Sequence, residues 1–317
     1  MELKNILLEN TKKIIEEYNL LNKTENVYVG LSGGKDSVAT TLLLRSLEYN
    51  VTPIIVDMSD PNFQADKIKQ DIDTYGFESE IIDVCDPNFL NSLPNKHRED
   101  IKRRLEYLLD VPKGKTACTD CYNVKITAFS NFISKKGGKK VVIGQHRNDM
   151  ITSMMKCYWS DLYYNEITRL TGQPYGGKIM KEFIESQNID LEYLGKLVSK
   201  GLAATDDPIR EYPLENFEIV RPLAMVKESD IKKFIEQIDY PVADSDASCR
   251  YRRRESRPFR LIVQWDLEKR LENNEKLSNH LFDFVLKGFN KDGTLKFRPR
   301  NLRNKLYPGF KPFIHKY

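Results

Sequence analysis

Apolar residues recur at helical spacing through residues 4–20, where Ile6, Leu7, Ile14 and Ile15 alternate with Lys and Glu, and they predict an amphipathic first helix. Short apolar runs follow at Val27–Leu31, Val51–Asp57, Glu80–Val84 and Lys140–Gly144, separated by helical stretches at 36–48, 63–75 and 123–136. Strands alternating with helices in this way predict an α/β fold, a doubly wound parallel sheet. Ligands of such sheets bind beyond the carboxyl ends of the strands, which is where Ser32, Asp57, Gln145 and His146 fall. Residues 159–218 break the alternation with a Tyr-rich, Gly-containing stretch and helical pieces, after which Ile219-Val220-Arg221-Pro222-Leu223 regains strand character. The segment therefore reads as an insertion, and there is no internal repeat or low-complexity stretch.

A chain of 317 residues holds one large or two ordinary domains with ample core. No apolar run reaches the length of a membrane span, and Met1-Glu2-Leu3-Lys4-Asn5 lacks the shape of a signal peptide, so the expectation is a cytoplasmic enzyme without a membrane partner. Five cysteines (Cys85, Cys118, Cys121, Cys157 and Cys249) in a reducing compartment argue against a disulfide framework and leave metal binding or catalysis open. Charge is unevenly spread. From Arg250 to Tyr317 there are 18 Lys and Arg against 7 Asp and Glu, a balance of +11, whereas the whole chain carries +4. Arg250, Arg252, Arg253, Arg254, Arg257 and Arg260 form one cluster. Lys296, Arg298, Arg300, Arg303 and Lys305 form a second, with Phe297 and Tyr307 interleaved. Clustered cations favour a polyanion such as nucleic acid through phosphate contacts and counterion release, the alternative being a solvated basic surface.

The chemistry is concentrated after the first strand. Gly30-Leu31-Ser32-Gly33-Gly34-Lys35-Asp36-Ser37 is a glycine turn between a strand and a helix, a geometry that aims backbone N–H groups and a helix N-terminus at an anion. It is not a Walker loop, because only three residues separate Gly30 from Gly34 and Asp36 follows Lys35 where Ser or Thr is required. Cys118-Thr119-Asp120-Cys121 places two thiols one turn apart just before a helix, with Cys249 distant in sequence. A CxxC alone is compatible with half a zinc site, a redox dithiol or part of an iron–sulfur cluster. Cys85 and Cys157 lie on apolar segments and read as packing residues. Tyr158, Tyr163 and Tyr164 are available for base stacking or for core packing.

Ser32–Ser37 resembles the pyrophosphate loop of the ATP-pyrophosphatase (PP-loop) superfamily. Together with Cys118 and Cys121, Ile143-Gly144-Gln145-His146-Arg147-Asn148-Asp149-Met150, Arg221-Pro222-Leu223-Ala224 and Cys249, it makes the chain similar to the tRNA 2-thiolation branch, in particular the tRNA 2-thiocytidine synthetase group. The resemblance implies an adenine-nucleotide alpha-hydrolase-like fold over residues 1–250, interrupted by the insertion, and a basic extension over 251–317. It implies ATP and Mg2+ as cofactors, with nucleotide contacts from Gly30, Ser32, Gly33, Gly34, Lys35, Asp36, Ser37, Asp57, Gly144 and His146. Cys118, Cys121 and Cys249 would hold a 4Fe–4S cluster with one iron left open. Lys35, Asp36, Lys125 and Asp149 would act in catalysis, Asp149 by binding magnesium or assisting the chemistry. The implied partners are tRNA and a sulfur donor such as a cysteine desulfurase or sulfide, and a homodimer is compatible with them.

The sequence also departs from that group. Extra cysteine pairs of the zinc-finger type are missing, and Ser245 stands where the thiocytidine group often has the first thiol of a second CxxC. Two other readings stay open: thionation of a small nucleobase or amide by the same chemistry, and a zinc-stabilised nucleic-acid-binding module without catalysis.

Overall fold

The computed structural model describes residues 2–111, 117–158, 210–214, 216–243, 274–276 and 278–279. Two units divide the chain, Met1–Arg147 with Ile209–Arg252, and Asn148–Pro208 with Arg253–Tyr317. The first unit opens with α1 (Glu2–Glu17), β1 (Asn26–Gly30), α2 (Lys35–Ser46), β2 (Asn50–Asp57), α3 (Ala65–Asp73) and β3 (Glu80–Asp83). It continues through α4 (Pro87–Asn91), α5 (Asn95–Leu109), α6 (Cys118–Lys135) and β4 (Lys140–Val142) to the start of α7 (Arg147–Tyr158). It then resumes with β5 (Arg210–Leu214), β6 (Phe217–Val220) and α8 (Glu228–Ile238).

The six strands form one sheet in the order β3-β2-β1-β4-β6-β5. β1 pairs in parallel with β2 and β4, β2 with β3, and β4 with β6, while β5 runs antiparallel along the edge of β6. Strand order reverses between β1 and β4, so the crevice expected of a doubly wound sheet opens beyond the ends of those two strands. The alternation along β2 shows why helices cover both faces. Ile54 and Val56 point into a core completed by Leu93, Ile101, Val124, Phe129 and Ile133 from the α4–α6 side. Ile55 points into the opposite core with Val38 and Leu43 of α2, Ile68 and Ile72 of α3, and Ile231 and Phe234 of α8. A fully buried side chain of this size stabilises by about 1.5–3 kcal/mol, and both faces of the sheet gain from it.

Several boundaries differ from the sequence expectation. Residues 210–214 and 217–218, placed in the insertion by their polarity, are strands of the main sheet, and Glu211 pairs with Ile219. The earlier part of that stretch, 159–209, lies outside the described residues. The CxxC does not precede a helix: Cys118 is the first residue of α6. Cys85 is exposed beyond β3, its N–H donating to Asp83 Oδ1 at 2.8 Å, and does not serve as a packing residue. In the second unit α7 is a helix as far as Tyr158, with Met150 and Ile151 buried, and Ser278 N–H donates to the Asn274 carbonyl. Tyr163, Tyr164, Cys249 and both basic clusters lie outside the described residues, as does the side chain of Cys157. Among the described residues no helix is long and apolar enough to cross a membrane.

Candidate active site

The loop after β1 is braced by hydrogen bonds of its own and to β2. Leu31 N–H donates to the Ile54 carbonyl at 2.7 Å, carrying β1–β2 pairing one residue past the strand. Ser37 Oγ donates to the Gly34 carbonyl at 2.9 Å and accepts from Ser32 N–H at 3.1 Å, closing the turn on itself. Gly33 has φ +76°, and a β-carbon there would lie 2.8 Å from Ile68 Cγ1, so glycine is required by conformation and by space. The Gly33 carbonyl in turn accepts from Ala243 N–H at 3.0 Å. Gly34 caps α2 without a side chain, and the first-turn N–H groups of a helix are those it leaves for a cap or an anion.

Gly144 is the second close approach. A β-carbon on it would stand 2.6 Å from the Asp36 carbonyl carbon and oxygen and 2.7 Å from Ser37 N, so the segment just after β4 lies directly against the first turn of α2. These neighbours are backbone and cannot rotate away. Gly144→Ala is expected to destabilise the fold by about 1–3 kcal/mol and to weaken nucleotide binding by moving that turn. Chemical denaturation and ATP titration check it. Wild-type behaviour in both would show that the two backbones separate freely.

Facing the loop is a charged group assembled from three elements. Lys35 Nζ lies 3.0 and 2.9 Å from the two carboxylate oxygens of Asp36 and 3.0 Å from Glu228 Oε1. His146 Nε2 is 3.7 Å from Asp36 Oδ1 and 3.9 Å from Glu228 Oε2, and Lys232 Nζ is 3.3 Å from Glu228 Oε1. Two backbone bonds hold the contributing loops in place: Ile143 N–H to the Val220 carbonyl and Arg147 N–H to the Val226 carbonyl. Burial alone lowers the pKa of Lys35, but the Asp36 and Glu228 carboxylates outweigh it and leave the value raised. Burial raises that of Glu228, and His146 and Lys35 outweigh it and leave the value lowered. A depressed glutamate contributes stability above its ordinary pKa and loses it as pH falls through the folded value, so the Lys35–Glu228 pair is intact at neutral pH.

On the neighbouring strand, Asp57 ends β2 and accepts from Ser59 N–H at 2.8 Å. Burial, and after it Asp83, Asp66 and Asp60, hold its carboxyl above the ordinary range despite that hydrogen bond. Met58 follows, and its sulfur lies 3.6 Å from Cys121 Sγ. Arg104 of α5 pairs with Asp120 at 2.5 Å and also with Asp100 at 2.7 Å, fastening the first turn of α6 to α5. Lys125, half-buried, stands one turn beyond Cys121.

The structure thus brings together Gly30, Ser32, Gly33, Gly34, Lys35, Asp36, Ser37, Gly144 and His146. Asp57 lies at the adjoining strand end, and Cys121 of α6 lies beside Met58 just past it. Asp149 lies in the first turn of α7, within the second unit. The side chain of Cys118 and all of Cys249 are outside the described residues, and among those described no three His, Cys, Asp or Glu are gathered to hold a metal. One participant escaped the sequence reading. Glu228 opens a stretch with Ile231, Phe234 and Ile235 at helical spacing, a helix signal with an acid in its first turn. Gln145 accepts a hydrogen bond from the buried guanidinium of Arg221, linking two motifs far apart in the chain.

No protein-family model matches the chain. It is 24% identical over 242 residues to a tRNA-cytidine(32) 2-sulfurtransferase of Saccharophagus degradans, covering 74% of this chain and 60% of that protein. It is 26% identical over 234 residues to the protein of the same description from Burkholderia ambifaria, covering 72% and 52%. The chain is similar in sequence to the tRNA-cytidine(32) 2-sulfurtransferases. The chain spans about 60% of the length of the first of these curated relatives. Among solved structures it is similar to a U34-tRNA thiolase from Methanococcus maripaludis with its [4Fe-4S] cluster, at a TM-score of 0.51 and 16% identity over 94% of this chain and 87% of that one. That likeness supports the open α/β sheet as the fold of this chain.

Proposed function

We propose that this chain is an ATP-dependent sulfurtransferase that adenylates a pyrimidine carbonyl in tRNA and replaces its oxygen with sulfur. The observation that carries the proposal is the meeting, on neighbouring strand ends, of a braced anion cradle at 32–37 and a thiol-bearing helix whose Cys121 lies 3.6 Å from Met58. The names of the curated relatives add the reaction class and the tRNA acceptor.

In this mechanism the phosphates of ATP lie against the loop N–H groups and Lys35, with adenine toward Val56–Met58. The carbonyl oxygen of the base attacks the α-phosphorus, the bond to the bridging oxygen breaks, and pyrophosphate leaves. Its charge is held by preorganised donors, whose advantage is that they need no reorganisation at the moment of bond breaking. A sulfur nucleophile then adds to the activated carbon, and AMP departs as the C–O bond breaks to leave C=S. Asp149 enters as the magnesium ligand or an acid–base group, and Lys125 as a second catalytic cation. Cys121 suits an iron–sulfur ligand, since it lies in the first turn of an 18-residue helix, whose dipole favours thiolate, and beside a soft thioether. With Cys118 and Cys249 it would hold a 4Fe–4S cluster, which supplies an open iron as a site for sulfur. The sulfur donor belongs to the cysteine-desulfurase or sulfide class, the setting is cytoplasmic, and a homodimer is accommodated.

The test is anaerobic incubation of the full chain with ATP, tRNA and sulfide. Equal AMP and pyrophosphate with a thiolated pyrimidine are expected, and ADP as the product would overturn the proposal. Neutralising Arg252, Arg253 and Arg254 together is expected to weaken tRNA binding and flatten its salt dependence while leaving ATP binding unchanged. Full-rate thiolation of a free base, with no tRNA affinity at low salt, would move the acceptor to a small molecule.

A further inference from the structure

We infer that Glu228 is a positioning residue for Lys35, fixing the ammonium at the mouth of the loop where the leaving pyrophosphate needs it. This rests on the ATP reading above. Lysine is a point charge on a flexible four-carbon stem, and its neighbour in sequence cannot by itself fix it in space. Asp36 is carried on the same turn of α2 and moves with it. Glu228 comes from the first turn of α8, on a separate element, and approaches the same nitrogen to 3.0 Å. Two carboxylates from independent elements therefore define one position for Nζ.

The surroundings of Glu228 favour this role over a plain surface ion pair. It is only 8% exposed, and an ionised carboxylate so enclosed needs counter-charges. Lys35 at 3.0 Å and Lys232 at 3.3 Å supply them, and His146 Nε2 lies 3.9 Å away. Lys232 lies one turn along the same helix, so when a phosphate takes a share of Lys35 the carboxylate keeps a cation beside it. His146 touches Asp36 and Glu228 alike, which holds the two acids in one arrangement. Glu228 need not meet the substrate; it acts through Lys35.

The experiment is a double-mutant cycle on the full chain with AMP formation as readout. Glu228→Ala is expected to lower kcat by about 10- to 100-fold with KM for ATP changed less than about threefold, and Glu228→Asp to recover part of the loss. In a Lys35→Ala background the same change is expected to cost less than about twofold, because its target is gone. Equal losses in both backgrounds, or a Glu228→Gln variant as fast as wild type, would overturn the inference. A second readout is independent of turnover. Lys35 labelling by an amine-acylating reagent, quantified by peptide mass spectrometry, is expected to rise about fivefold or more in Glu228→Gln, since a lysine without its second carboxylate loses its proton more readily. Unchanged labelling would also overturn it. Should the wild-type chain make ADP, the pyrophosphatase reading falls while the labelling arm still decides whether Glu228 positions Lys35.

Discussion

Lys35→Ala is expected to reduce AMP formation by about 100- to 1,000-fold, the loss typical of removing one preorganised donor from a developing negative charge. Lys35 is part of the loop itself, half-buried and braced by Asp36 and Glu228. Its raised pKa keeps it an ammonium through neutral pH, and that contribution is lost only as pH rises through the raised value. The variant is expected to fold, since Glu228 retains Lys232 and His146 nearby. Circular dichroism and rapid-quench measurement of AMP check both halves. A folded Lys35→Ala protein within tenfold of wild type would remove Lys35 from the mechanism.

Cys121→Ala is expected to eliminate iron and acid-labile sulfide from anaerobically reconstituted protein, and turnover with them, while ATP binding persists. A cluster held by three thiolates has no spare ligand, whereas the thiol contributes only modestly to packing because it is half-buried. Cys85→Ala is the matched control: Cys85 is exposed beyond β3, and both iron content and turnover should be unchanged. Stoichiometric zinc in a colourless, active protein would assign Cys121 to a different metal site.

The parallel sheet was legible because its strands are continuous apolar runs bounded by turns, and β1, β2 and β3 formed within a residue or two of where the runs lie. β5 was not legible. Arg210-Glu211-Tyr212-Pro213-Leu214 carries two charges and a proline, a composition that suits an edge strand and resembles a loop when read alone. α5 hid for a related reason, since Lys102, Arg103 and Arg104 dilute the apolar face made by Ile101 and Leu108. At the site, the glycines and Lys35 announced themselves as a local motif. Glu228 did not, because its significance is a distance to a residue 193 positions earlier, and no short string encodes that. His146 was visible as a strand-end residue, but its contact with two carboxylates emerges only when β4 and α8 come together.

The hydrogen bond from Ala243 to the Gly33 carbonyl has a consequence for the loop's freedom. That carbonyl and the Gly34 N–H are opposite ends of one rigid peptide plane, and Gly34 N–H also points to Ser32 Oγ at 3.4 Å. A glycine pair can ordinarily spin such a plane at little cost, yet here both ends are fastened. The orientation of the loop thus draws on a residue 23 positions beyond the last strand among the described residues, which ends at Val220. A fragment stopping after α8 would keep the six strands of the sheet and Ser32–Ser37, but this peptide plane would be held only from within the loop, by Ser32, and would lose the fastening that reaches it from outside.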